Sequence, residues 1–182
     1  MDKFTLFKED TVLMVIDIQE RLVPAMKYGK KVIENTNILV SIAKDLEIPI
    51  VVTEQYPRGL GPTVSEIKDN LGEAPIYEKI SFTAYTEEVA NELKKLGKKK
   101  IIITGMETHV CVMQTVRGLI ADGYQVFLVG DAVSSRGKEN YRNGLALMSA
   151  MGAVVTNTES VFFDLMKEAG SPLFKKLSKL IK

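Results

Sequence analysis

Three residues of this chain have the types and positions that nucleophilic hydrolysis requires. Cys111 is the single cysteine among 182 residues, and it follows the run Ile101-Ile-Ile-Thr-Gly-Met-Glu-Thr-His-Val110. That run reads as a buried strand, a glycine turn and the start of a helix. A thiol at a helix N-terminus feels the positive end of the helix dipole and can ionise below its free value of about 8.5. Asp17 closes the apolar run Val12-Leu-Met-Val-Ile16, and Lys79 closes Ile76-Tyr-Glu78 just before Ile80-Ser-Phe-Thr-Ala-Tyr85. An acid, a lysine and a thiol delivered from three strand ends could act together. Asp17 could take the thiol proton as general base and return it to a leaving group. Lys79 could keep Asp17 ionised and stabilise a thiolate. Backbone N–H groups at the Cys111 turn could receive a developing oxyanion. Each residue also has a purely structural reading: Cys111 as a small buried apolar side chain, Asp17 as the cap of a following turn, Lys79 as a solvated lysine.

The elements that must position these residues alternate along the chain. Nearly continuous Val, Ile and Leu runs at 11–16, 49–53, 100–104, 124–129 and 153–156 read as strands buried on both faces, and 76–79 supplies a shorter one. Helical periodicity occupies 31–46, 86–96, 110–122, 139–151 and 160–169; Val89, Leu93 and Leu96 form one buried stripe. Gly97, Gly123, Gly152 and Gly170 each follow a helical run, as C-terminal glycines do. Alternating strands and helices imply parallel strands with helices on both faces, in a single α/β domain covering 1–182. Ligands of such sheets bind beyond the carboxyl ends of the strands, where Asp17, Lys79 and the turn after Gly105 all arrive. The segment 54–75 carries Pro57, Gly59, Gly61, Pro62, Gly72 and Pro75 around a short helical stretch at 64–71. It is either a functional loop or a decorated surface connection.

Composition excludes several classes. Charged residues are 26% and net charge is +1, so no nucleic acid and no anionic membrane is called for. Lys98–Lys100 and the lysines at 175, 176, 179 and 182 read as solvated helix ends and a tail. A lone cysteine excludes an intrachain disulfide framework. The charged start Met1-Asp2-Lys3-Phe4 leads into no long apolar segment, and a reducing cytoplasm is the expected compartment.

Taken together, Val15-Ile-Asp-Ile-Gln19, Lys79-Ile-Ser-Phe-Thr-Ala-Tyr85 and Thr104-Gly-Met-Glu-Thr-His-Val-Cys-Val112 resemble the isochorismatase-like cysteine hydrolases. The likeness extends to Thr115-Val-Arg117, Gly123-Tyr-Gln-Val126 and Gly130-Asp-Ala-Val-Ser-Ser135, covering nearly the whole chain. It implies a Rossmann-like three-layer sandwich whose six-stranded parallel sheet has the order 3-2-1-4-5-6. It also implies an Asp17-Lys79-Cys111 triad, a cis peptide at Met106–Glu107, and an oxyanion hole from the N–H groups of Glu107 and Cys111. Its reaction would pass through a Cys111 thioester with a small-molecule amide or related C–N bond, with no cofactor. Nicotinamidases in this family hold a metal through an Asp-x-His segment; here that stretch is Glu54-Gln55-Tyr56-Pro57, and His109 is the only histidine. No metal is therefore expected, and Gln19, Glu54, Gln55, Tyr56, Phe82 and Tyr85 become substrate-pocket residues. True isochorismate hydrolases generally lack the cysteine and cleave a vinyl ether with the Asp, so Cys111 favours the uncharacterised hydrolase branch. A vinyl-ether hydrolase and a catalytically idle interaction scaffold are the alternatives.

Cys111-x5-Arg117 has the spacing of a phosphatase loop, but the intervening Val-Met-Gln-Thr-Val reads as continuing helix rather than an anion cradle. His109 lies two residues before the nucleophile across a strand–helix junction, where the side chains diverge; it fits a pocket wall or subunit contact. The run 172–181 places Leu173, Phe174, Leu177, Leu180 and Ile181 at helical spacing. Those side chains need cover, either their own domain or a second copy, and family members form oligomers; a homo-oligomer is expected.

Overall fold

A computed structural model describes residues 3–181. Met1 and Asp2 of the charged start and Lys182 of the basic tail lie outside the described residues.

The central strand β1 (Thr11–Ile16) is buried along its whole length. On one side lie β2 (Ile50–Gln55) and β3 (Ile76–Lys79); on the other lie β4 (Lys100–Met106), β5 (Gln125–Ser134) and β6 (Val154–Thr156). The order is β3-β2-β1-β4-β5-β6 and all neighbours run parallel, as expected. Because side chains alternate along a strand, β1 feeds two separate cores. Leu13 and Val15 pack with α1 (Gly29–Asp45), α3 (Ser65–Leu71), α7 (Thr158–Met166) and α8 (Pro172–Leu177). Val12, Met14 and Ile16 pack with α4 (Glu87–Leu96), α5 (Met113–Ala121) and α6 (Lys138–Ala150). Each fully buried Val, Leu or Ile stabilises the fold by roughly 1.5–3 kcal/mol. The expected stripe on α4 is real for Val89 and Leu93, which are buried, with Leu96 at the margin. The Thr86 hydroxyl caps that helix by accepting from the Val89 N–H, and Gly97 closes it in the left-handed conformation.

Strands β2, β4 and β5 continue beyond their apolar runs. Glu54 and Gln55 pair with Glu78 and Lys79. After a register shift between Ile103 and Gly105, Gly105 and Met106 pair with Val133 and Ser134. Apolar character reports burial, whereas these tips carry polar and glycine residues to the carboxyl edge of the sheet. The segment after β2 contains α2 (Pro57–Leu60) and α3, and is tied back by a bridge between Gln19 and Thr63.

Of the two covers open to the C-terminal run, its own domain is the one it takes. The C-terminal run covers itself on its own chain: Leu177 is buried, while Leu173, Phe174 and Ile181 pack against the α1–α7 core. The Phe174 ring lies 5.7 Å from that of Phe162. Only Leu180 stays exposed among the five, so this run gives no reason for a second copy.

Candidate active site

Parallel topology brings three strand tips to one edge. Asp17 follows β1 with φ of 54°, a left-handed conformation unusual for a residue with a side chain. Beside it, β4 approaches so closely that only glycine fits. A Cβ on Gly105 would lie 2.1 Å from the Ile16 carbonyl oxygen, and its φ is +137°. The chain then turns through a cis peptide at Met106–Glu107 and one turn of π-helix, Thr108–Val112, before α5 begins. Cys111 therefore sits inside the π turn, and α6 packs against that turn at Gly144, where a Cβ would be 3.2 Å from the His109 backbone.

Asp17 is fully buried. Its Oδ1 accepts from the Thr53 hydroxyl at 2.7 Å, and its Oδ2 lies 2.7 Å from Lys79 Nζ. Lys79 is buried too. Its ammonium also donates to Gln55 Oε1 at 2.6 Å and to the carbonyls of Phe82 at 3.2 Å and Ser81 at 3.3 Å. This acceptor cage suits a charged ammonium, since a buried cation needs partners for its protons. The Cys111 thiol interacts electrostatically with both Asp17 and Lys79. The structure thus brings Asp17, Lys79 and Cys111 into one buried cluster.

Electrostatics differ from the expectation of an acidic thiol. Burial pushes the Cys111 thiol up to about 12, the Asp17 charge adds to this, and Lys79 pulls the other way. Desolvation and a neighbouring carboxylate outweigh the pull of Lys79. Burial likewise raises the Asp17 carboxyl above its usual range, against the opposing pull of Lys79 and of hydrogen bonds from Lys79, Thr53 and Cys111. The resting thiol keeps its proton, and it has a base beside it.

The other expected site residues divide. Gln55 holds Lys79 through its side-chain oxygen and donates to the Ile80 carbonyl at 2.8 Å. Gln19 is fully buried and acts as a strap: its amide donates to the carbonyls of Gly61 at 2.7 Å and Gln55 at 3.0 Å, and accepts from the Gln55 N–H. Glu54 accepts from the Thr63 N–H at 2.6 Å and so secures the loop. Tyr56 and Phe82 are about half exposed, and Tyr56 lines an open cavity of about 380 Å³ that reaches Lys79 and Ile80. Tyr85 turns away. Its hydroxyl donates to Asp122 at 2.7 Å, beyond the far end of α5 and about 16 Å along the helix from Cys111.

His109 Nδ1 meets the Ser135 hydroxyl at 2.9 Å, in keeping with its divergence from the nucleophile. Arg117 is exposed on α5, so Cys111 to Arg117 forms no phosphate loop. Among the described residues no three His, Cys, Asp or Glu side chains gather where a metal ion could be held.

Two supports escaped the reading of the sequence. The Thr115 hydroxyl donates to the Cys111 carbonyl at 2.6 Å and accepts from the Ala84 N–H at 2.7 Å. It joins the nucleophile turn to the loop after Lys79. Arg136 clamps the Glu107 carboxylate through its own backbone N–H at 3.0 Å and its guanidinium at 3.1 Å. Burial pushes the Glu107 carboxyl up, but the Arg136 hydrogen bonds and charge outweigh it and leave it below the usual range. The i, i+4 spacing of Thr115 from Cys111 was a visible signal; nothing in the spacing linked Glu107 to Arg136.

Comparison with known proteins bears on the family and the fold. The family model described as the isochorismatase domain matches residues 11–160. The secreted isochorismatase effector Isc1 of Phytophthora sojae is 42% identical, over 97% of this chain and 87% of its own. The MAR1 ribonuclease structure from Caenorhabditis elegans is 36% identical, with a TM-score of 0.93 over 97% of this chain and 92% of that one. The YcaC gene product of Escherichia coli, described as an octameric hydrolase of unknown specificity, is 27% identical. Its TM-score is 0.91 over 98% of this chain and 89% of its own.

Proposed function

This chain belongs to the isochorismatase family, and from that premise we propose that it hydrolyses a small-molecule amide or related C–N bond through a Cys111 thioester. The observation that carries the proposal is the buried Asp17-Lys79-Cys111 cluster, with the protonated thiol placed against a carboxylate of raised pKa. The sulfur attacks the substrate carbonyl while Asp17 takes its proton. The carbonyl oxygen becomes an oxyanion, received by the N–H groups of Glu107 and Cys111. Collapse breaks the C–N bond, and the departing nitrogen takes the proton from Asp17. Water then attacks the thioester as Asp17 takes a proton from it; the acid leaves and the thiol is restored. Lys79 steadies the Asp17 carboxylate whenever it is ionised. Gln55 and Thr115 act through others, by holding Lys79 and the nucleophile turn.

The ribonuclease named among the relatives poses a different substrate class. A nucleophile only 6% exposed, in a chain of net charge +1, favours a small uncharged group over a polynucleotide. The reaction needs no metal in this reading, because Lys79 and the backbone supply the positive potential. We place the protein in the cytoplasm as a homo-oligomer. No helix of the described residues is long and apolar enough to cross a membrane, and one relative is octameric while another is secreted.

The test is a screen of amides, ureides and carbamates, with Cys111→Ala and an RNA substrate as controls. Turnover of a C–N substrate that vanishes in Cys111→Ala, with an acyl adduct on the Cys111 peptide, is the expected result. Wild-type rates in Cys111→Ala would sink the mechanism.

A further inference from the structure

Away from the Cys111 cluster, positive charge converges on a cavity of about 400 Å³ beside the carboxyl end of β5. Lys27, Lys31, Arg136, Lys138 and Arg142 reach its wall from the segment before α1, from α1, from the β5–α6 turn and from α6. The lining carries one carboxylate, Asp131. Its Oδ1 is already held by the Thr158 N–H at 2.8 Å and hydroxyl at 2.9 Å. Three of the cations have partners: Arg136 with Glu107 at 3.1 Å, Arg142 with Glu139 at 3.3 Å and Lys31 with Glu34 at 3.5 Å. The last two pairs are exposed, so they neutralise the wall only weakly. Lys27 and Lys138 form no ion pair among the described residues; Lys27 lies 5.5 Å over the Tyr28 ring.

Two further features suit a ligand. The first turn of α6 contributes Lys138, Tyr141 and Arg142 to the wall, and no side chain caps that 13-residue helix at Gly137. Its open N–H groups add to the positive potential. The rest of the wall mixes apolar and aromatic surface from Val32, Val133, Tyr28 and Tyr141 with Gly130 and the two serines Ser134 and Ser135. None of Asp17, Lys79 or Cys111 lines this cavity.

We propose that this cavity, with its five lining cations and two tyrosines, is a binding site for a small organic phosphate. Two ammonium groups without ion pairs match two negative charges. A phosphate monoester carries −1.5 to −2 near neutrality, whereas a single carboxylate carries one. Arg136 is engaged with Glu107, so the Lys27 and Lys138 ammonium groups carry the phosphate contact, and the tyrosine and valine surfaces suit a flat apolar body. The site stands independently of the Cys111 reaction.

Isothermal titration with phenyl phosphate tests this on the full-length protein. Wild type should bind one phenyl phosphate per chain saturably, and added salt should weaken binding. Lys27 and Lys138 are exposed, so Lys27→Ala/Lys138→Ala should keep the fold by circular dichroism. That double variant should weaken binding at least about tenfold. Cys111→Ala should bind as wild type, as should Lys175→Ala/Lys179→Ala, whose lysines do not line the cavity. Inorganic phosphate and benzoate should each bind more weakly than phenyl phosphate. Absence of saturable binding, or wild-type affinity in a folded Lys27→Ala/Lys138→Ala, would overturn the site. Loss of binding in Cys111→Ala would place the anion at the nucleophile instead. Benzoate or inorganic phosphate binding as tightly as phenyl phosphate would overturn the ligand class.

Discussion

Replacing Asp17 with Asn should separate two properties of Cys111 that usually move together, reactivity toward an alkylating agent and catalytic turnover. In the resting protein the thiol is pushed up to about 12, first by burial and then by the Asp17 charge, with Lys79 opposing. Asn has nearly the volume of Asp and no charge. At about 4 Å and an effective dielectric of about 20, a unit charge is worth about 4 kcal/mol, or about three decades in ionisation. Lys79, 2.7 Å from Asp17, already cancels much of that field. The expected drop in thiol pKa is therefore at least about one unit. The variant also leaves the Lys79 ammonium without its carboxylate and facing the sulfur. Iodoacetamide should then alkylate Cys111 at least about tenfold faster in Asp17→Asn at pH 7.5, because the thiolate is the reacting form. Turnover should move the other way, falling by about 10²–10⁴ with the loss of the general base. Because the thiol pKa is raised, wild-type alkylation should climb through pH 6.5–9.5 without levelling, followed by intact mass against time. An Asp17→Asn protein alkylated more slowly than wild type would refute the electrostatic account of this site.

Thr115→Val should leave the buried Ala84 N–H without an acceptor and release the Cys111 carbonyl, destabilising the protein by about 1–3 kcal/mol in urea denaturation. An unchanged midpoint would remove Thr115 from the scaffold. Gly105→Ala forces a Cβ to 2.1 Å from the Ile16 carbonyl oxygen and should cost about 3 kcal/mol or more, or yield insoluble protein. Gly97→Ala, where a Cβ meets open space at a left-handed turn, should cost about 1 kcal/mol by the same measurement. Prolonged chelator treatment should leave the hydrolysis rate unchanged; a loss restored by zinc or manganese would refute the metal-free reading of the Glu54–Tyr56 stretch. Light scattering should give a mass above that of one 20.2 kDa chain, and a monomer would refute the oligomer.

The elements of this fold were legible because their signals are local. Continuous apolar runs marked the strands, a four- and three-residue spacing marked α4, and glycines marked helix ends. From alternation alone the strands had to be parallel, and parallel strands deliver Asp17, Lys79 and the Gly105 turn to one edge. The motifs around those residues carried the family resemblance, and with it the sheet order. The environment of each side chain was decided only by tertiary structure. An acidic Cys111 was expected from its position near a helix start, a local effect. In the folded chain its surroundings are set by burial and by Asp17, 94 residues earlier, and these raise its pKa. Gln19 and Glu54 looked like pocket residues because they sit at strand tips, yet loop backbone groups of segment 54–75 occupy their polar atoms. Tyr85 lies next to the Lys79 loop in sequence, but Asp122 draws its hydroxyl to the other end of α5. The C-terminal apolar run found cover on α1 and α7, which no periodicity could assign. Periodicity is written in spacing along the chain, so it survives in one sequence. Desolvation, hydrogen-bond choice and the cover of an apolar face depend on which distant segments meet, and only the packed structure brings them together.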